Sequence, residues 1–131
     1  TNRGAPLLYY GDEIGLPGAG DPDNRRFMQW TGLDANQTWL RDRTKKLLDI
    51  RAKHPATRRG VRATISADAD TWVYSRSTAG DTVYVAINRS DADKTVSGLP
   101  GGALDELVTG TTANGPTVTI PPRQTRIFFK K

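Results

Sequence analysis

The feature that most constrains this chain is a short apolar run, Pro6-Leu7-Leu8-Tyr9-Tyr10-Gly11, which opens into a long segment dense in glycine, aspartate and arginine. That segment passes through Asp12-Glu13 and then Asp21-Pro22-Asp23-Asn24-Arg25-Arg26-Phe27-Met28-Gln29-Trp30. A run apolar at consecutive positions suits a parallel strand buried on both faces, because a half-exposed antiparallel strand alternates apolar with polar residues. Such a strand cannot stand alone. From residue 11 to 37 no helical or strand period recurs, and connections longer than about 12 to 15 residues are usually functional or disordered. Phe27, Met28 and Trp30 argue for order, since disordered linkers are poor in large apolar side chains.

A helix is predicted next, with Asn36 or Thr38 as N-cap. Trp39, Leu40, Leu47, Leu48 and Ile50 fall roughly on one side, and Pro55 stops it. A buried parallel strand, a long loop and a helix are the unit that a (β/α)8 barrel repeats, with the loops over its active site. One such unit encloses no core, and a barrel needs about 200 residues or more. Most of that barrel is expected to lie outside these residues.

From about residue 56 the pattern changes to short alternating strands, at 71–76, 82–88, 103–108, 117–120 and 125–130, with others near Thr64 and at 94–96. Turn-formers separate them: Ala79-Gly80-Asp81, an Asp-Ala-Asp at 68–70 and again at 91–93, and Asn114-Gly115, which signals a hairpin. The expected fold class is therefore α/β plus all-β. The terminal βα unit of a TIM barrel (strand 8, active-site loop, helix 8) spans 1–55, and a small antiparallel β-sandwich spans 56–131.

Composition excludes several classes. No apolar run approaches the ~18 residues that span a membrane, so the chain reads as soluble and no membrane partner is expected. Compartment is left open, with a secreted or periplasmic bacterial setting compatible. The absence of cysteine removes disulfides and thiolate metal sites. Thr1 resembles neither an initiator nor a signal peptide, so the chain is expected to begin inside a longer polypeptide. The net charge of +5 raises nucleic acid, because nine of the 19 basic residues lie between Arg41 and Arg62. No stacking platform or helix-turn-helix accompanies them, so a solvated helix face is the reading adopted and no nucleic-acid partner is expected.

The run Gly4-Ala5-Pro6-Leu7-Leu8-Tyr9-Tyr10-Gly11-Asp12-Glu13-Ile14-Gly15 resembles the eighth barrel strand of the α-amylase family of glycoside hydrolases. The stretch from Asp21 to Trp30 is similar to the loop that follows it there, most closely in cyclomaltodextrinase and neopullulanase members. Ile50-Arg51-Ala52-Lys53-His54-Pro55-Ala56 resembles the passage from the last barrel helix into that family's carboxy-terminal sandwich. The resemblance implies a retaining hydrolase or transglycosylase of starch-like α-glucans and maltooligosaccharides, partnered here by the remainder of the barrel. Retention needs two carboxyl groups about 5 to 5.5 Å apart. In the family these, and a third Asp, come from strands four, five and seven, so no catalytic residue is expected in this chain and the isolated piece is expected to be inactive.

The resemblance assigns Asp21 and Arg25 to glucose units on the non-reducing side of the cleavage point. Their chemistry suits it, since a carboxylate accepts from sugar hydroxyls and a guanidinium donates to them. A mutual brace across the loop fits the same residues equally well. Asp12 and Glu13 are neighbours pointing to opposite faces of an extended segment, unsuited to flank one bond. Asp21 and Asp23 have the spacing that opens a calcium loop, but Arg25 and Arg26 stand where a ligand and the turn glycine belong, so no metal is expected and no cofactor is assigned to this segment. Calcium in the parent stays open. His54, the only histidine, reads as a helix-terminal residue, and Trp72 with Tyr74 as sandwich packing rather than a starch platform. Two other classes remain: a free-standing carbohydrate-binding sandwich and a basic nucleic-acid-binding domain.

Overall fold

A computed structural model describes residues 1–2 and 4–131, which divide into two compact units: Ala5–Asp49, and Thr1–Gly4 with Ile50–Lys131. The division falls inside helix α1 (Ala35–Lys53), because Ile50 shares a core with the strands of the second unit. No helix among the described residues is long and apolar enough to cross a membrane.

In the first unit the apolar run does not form the predicted strand. A parallel strand takes its backbone hydrogen bonds from neighbouring strands, and no segment among the described residues pairs with this one. The run instead ends in a tight turn, where Asp12 N donates to Tyr9 O and Asp12 Oδ2 accepts from Tyr9 N, both at 3.0 Å. Gly11, at φ 92°, carries the chain into a 3₁₀ turn at Asp12–Ile14. A second 3₁₀ turn forms at Asp23–Arg25.

Helix α1 begins earlier than expected. Its cap is Asp34, not Asn36 or Thr38: Asp34 Oδ1 accepts from Gln37 N at 2.8 Å while Gln37 Oε1 accepts from Asp34 N at 3.0 Å. This reciprocal pair satisfies two otherwise orphaned donors. The helix buries only Ile50; Trp39, Leu47 and Leu48 are exposed.

The second unit contains α2 (Ala56–Arg59) and strands β1 (Val61–Ala67), β2 (Thr71–Thr78), β3 (Asp81–Asn88), β4 (Lys94–Val96), β5 (Gly102–Glu106), β6 (Thr111–Gly115), β7 (Val118–Ile120) and β8 (Thr125–Phe129). Six make one antiparallel sheet in the order β1-β2-β3-β8-β5-β6, and β4 pairs with β7 in a second. Strict alternation gives the large sheet two cores. Val73, Ala86, Leu104 and Phe128 meet Val96 and Ile120 of the small sheet, whereas Tyr74, Val83, Val85 and Ile127 meet Ile50 and Ala56 on the other side. Burying an aliphatic or aromatic side chain contributes roughly 1.5 to 3 kcal/mol, so β2, β3 and β8, filled on both faces, are the strongest part of the sheet.

The hairpin expected at Asn114-Gly115 is elsewhere. Both residues lie in β6, paired with Ala103 and Gly102, and the turn falls at residues 107–110 with Gly110 at φ 78°. The Glu106 carboxylate shapes that turn by accepting from Val108 N and Thr109 N, each at 2.9 Å. Gly115 serves close approach instead: a Cβ there would lie 1.9 Å from Pro100 O.

Candidate functional site

The loop that follows the first 3₁₀ turn is organised by Asp23. Its Oδ2 accepts from Ala19 N at 2.8 Å, and Arg26 grips the carboxylate with Nε at 2.7 Å and Nη2 at 2.9 Å. The Arg26 guanidinium, and after it the Ala19 amide, hold the Asp23 carboxyl below its ordinary range. The 3₁₀ turn brings these side chains together, because residues three apart eclipse one another in that geometry. The three-residue spacing of Asp23 and Arg26 was the available signal.

Asp21 and Arg25 form a second pair, Nε to Oδ1 at 3.1 Å and Nη2 to Oδ2 at 3.4 Å. Here the side chains stay 63% and 72% exposed. Charged groups this open contribute little to stability as a pair, about 0 to 1 kcal/mol. Their hydrogen-bonding capacity is only partly used. Three of the five guanidinium N–H groups and about half of the carboxylate lone-pair positions lie outside the mutual bonds. The pair can therefore hold itself together and still present donors and acceptors side by side, which is the complement of a sugar diol. Phe27 and Trp30, 98% and 80% exposed, set apolar surface in the same loop.

Asp12 and Glu13 serve the local backbone. Glu13 Oε2 accepts from Gly11 N at 2.9 Å, the hydrogen-bonded role expected of a carboxylate at the end of the run.

The remaining candidates are structural. His54 Nδ1 lies 3.0 Å from Asp81 Oδ1, and its ring packs on Phe129 at 4.8 Å. Asp81 Oδ2 also accepts from Ala56 N at 2.8 Å, so one carboxylate braces the junction of α1 with α2. The Trp72 ring tilts against Tyr74 at 4.5 Å and lies under the Arg62 guanidinium at 5.0 Å, which leaves that face to a cation rather than to a sugar. Asn88 is 1% exposed, and its amide nitrogen donates to Ala92 O and Ile120 O at 2.8 and 2.9 Å, so its side chain serves the strand-bearing unit from within. A cleft of about 440 Å³ lies beside β6 and β7, lined by Glu106, Thr111, Asn114, Thr119 and Phe128. The Glu106 oxygens at its floor are engaged by the turn amides and Ile127 N.

No protein-family model matches the chain. It is 39% identical over 93 residues to a cyclomaltodextrinase of Geobacillus thermopakistaniensis, covering 70% of this chain and 16% of that one. It is 38% identical over 111 residues to a cyclomaltodextrin glucanotransferase of Paenibacillus macerans, covering 85% and 15%. Among solved structures it superposes on an Anoxybacillus α-amylase with a TM-score of 0.79 at 30% identity, over 92% of this chain and 27% of that chain. An α-amylase from Geobacillus thermoleovorans, solved with acarbose, gives 0.77 at 25% identity, over 95% and 29%. The chain spans about a sixth of the length of the curated relatives it matches.

Proposed function

The chain belongs to the α-amylase family of glycoside hydrolases, and from that premise we propose that it is the carboxy-terminal portion of a retaining enzyme acting on starch-like α-glucans or maltooligosaccharides. In this reading residues 1–55 are the last strand, active-site loop and last helix of a (β/α)8 barrel, and residues 56–131 are its sandwich domain. The observation that carries it is the mismatch in residues 5–49 between apolar content and burial. Leu7 is 89% exposed, Trp39 65%, and Leu47 and Leu48 41% each. An apolar run without ladder partners and a helix with its apolar side chains outward would both be completed by barrel neighbours.

Bond cleavage, in this account, belongs to carboxylates on other barrel strands, which attack the anomeric carbon and protonate the leaving oxygen. This chain binds and orients. Arg25 donates to hydroxyls of glucose units on the non-reducing side, Asp21 accepts from them, and Asp23 with Arg26 keeps the loop in shape for that contact. Binding contributed away from the scissile bond places the substrate for attack. The cyclomaltodextrinase and neopullulanase relatives make cyclomaltodextrins and pullulan the substrates to try first. No metal or cofactor is assigned to residues of this chain.

The test is to express the longer polypeptide that carries this chain and follow cyclodextrin, starch and pullulan hydrolysis by proton NMR. First-formed product with the α-anomeric configuration supports the reading. Absence of turnover, or a β-anomer formed first, overturns it.

A further inference from the structure

Residues Ala5–Asp49 leave the strand-bearing unit and return to it, and among the described residues the Arg51 side chain bonds backbone on both sides of that excursion. Arg51, just beyond the return, donates from Nη2 to Gly4 O and from Nη1 to Thr57 O at 2.9 Å, with Nη1 reaching Asn2 O at 3.5 Å. All four residues lie in one unit. Gly4 has φ 90°, a conformation side-chain-bearing residues rarely adopt, and nothing within 4 Å would meet an added Cβ. Its glycine thus answers to backbone direction, not to space. Beside it Arg76, 1% exposed, donates from Nε to Gly60 O at 3.0 Å and from Nη1 to Thr1 O, while Thr1 Oγ1 and Tyr74 Oη lie 2.6 Å apart. The outgoing segment is therefore held mainly through its carbonyls. A planar guanidinium can serve carbonyls from separate stretches of chain at once, which an ammonium, acting as a point charge, does less well.

We infer that Arg51 is a positioning residue that closes the base of this excursion. It fixes the point from which the run at 5–10 departs, and so narrows the conformations open to the segment that carries Asp21 and Arg25. Holding the ends of a long segment together removes conformational freedom from everything between them. The effect on turnover rests on the function proposed above, whereas the closure itself does not.

The chain has no cysteine, so two nitroxides can be placed freely. Labels at Asn2→Cys and Thr95→Cys report how firmly the outgoing segment is held, and a Thr95→Cys with Thr112→Cys pair reports the sheets alone. We expect a narrow 2-to-95 distance distribution that broadens at least about twofold in Arg51→Met and partly recovers in Arg51→Lys, because the segment then loses the Arg51 bonds to the Asn2 and Gly4 carbonyls. The 95-to-112 distribution should stay narrow throughout. If Arg51→Met disturbs the sheets, Gly4→Ala is read instead, and it should broaden the first pair only. An unchanged 2-to-95 distribution in the readable variant overturns the closure. In the longer enzyme Arg51→Met should lower kcat/KM on long maltooligosaccharides about three- to tenfold with a smaller loss on short ones, since misplacement of binding groups costs rate, and Arg51→Lys should restore part of it. Broadened distances with unchanged kinetics overturn the positioning role. A longer polypeptide inactive on every α-glucan would instead sink the proposed function, while the label pairs still decide the closure.

Discussion

Asp21 and Arg25 meet across one turn of the loop with two nearly parallel hydrogen bonds, and both side chains remain mostly in solvent. Two residues further on, Asp23 and Arg26 make a tighter pair that also engages a backbone amide. The two pairs divide the work of the loop. The tighter one fixes local shape, and the open one keeps donors and acceptors that its mutual bonds do not use. Bracing and contact are therefore compatible roles for Asp21 and Arg25.

The isolated chain should hydrolyse none of starch, pullulan, cyclodextrin or nitrophenyl maltosides. Its carboxylates at Asp12 and Glu13 are engaged by local backbone, and the reacting pair lies elsewhere in the proposed enzyme. Turnover abolished by Glu13→Gln would refute this. The same sample should bind an apolar dye through Leu7, Leu8 and Trp39, and a cooperative melt without dye uptake would count against the exposed face.

Acid should loosen the loop through Asp23. Its folded pKa is depressed below the ordinary value of 3.8, first by the Arg26 hydrogen bond and then by the Ala19 amide. A depressed carboxyl contributes in full above its unfolded pKa, and the contribution is lost as pH falls through the folded value. Carbon-detected NMR titration should show Asp23 titrating below an unpaired aspartate, and Arg26→Gln should move it upward. A midpoint unmoved by Arg26→Gln would show that the pair does not form in solution.

Gly115→Ala should destabilise the sheets severely, by roughly 3 kcal/mol or more, because the new Cβ would overlap the Pro100 carbonyl. Gly110→Ala, at φ 78° with open space around it, should cost only about 1 to 2 kcal/mol. Urea unfolding followed by Trp72 fluorescence separates the two. Equal midpoints would mean that Gly115 is a turn residue after all.

The strands were legible because β2, β3 and β8 alternate strongly and turn-formers bound them, so period and punctuation agreed. Asn114-Gly115 misled because a glycine needed for close approach looks the same in sequence as one needed for a turn, and β6 went unread behind it. Asp34 was passed over as cap although Gln37, three residues on, completes a capping box. The strand at 6–11 was read from apolarity and from the family resemblance, neither of which supplies hydrogen-bonding neighbours. In the loop, the family resemblance singled out Asp21 and Arg25 as candidates, whereas the pairing of Asp23 with Arg26 was carried only by their three-residue spacing, which the 3₁₀ turn makes a contact.

Contact between the glucan and the pair Asp21 and Arg25 is decided by the kinetics of Arg25→Ala and Asp21→Ala in the longer enzyme on long and short substrates. A hydrogen bond involving a charged group is worth about 1.5 to 3 kcal/mol, so kcat/KM on long maltooligosaccharides should fall roughly ten- to a hundredfold. On substrates too short to reach the loop the fall should be smaller, with Tm nearly unchanged. Equal losses on short and long substrates, accompanied by unfolding several degrees earlier, would contradict the claim and leave the pair as a brace alone.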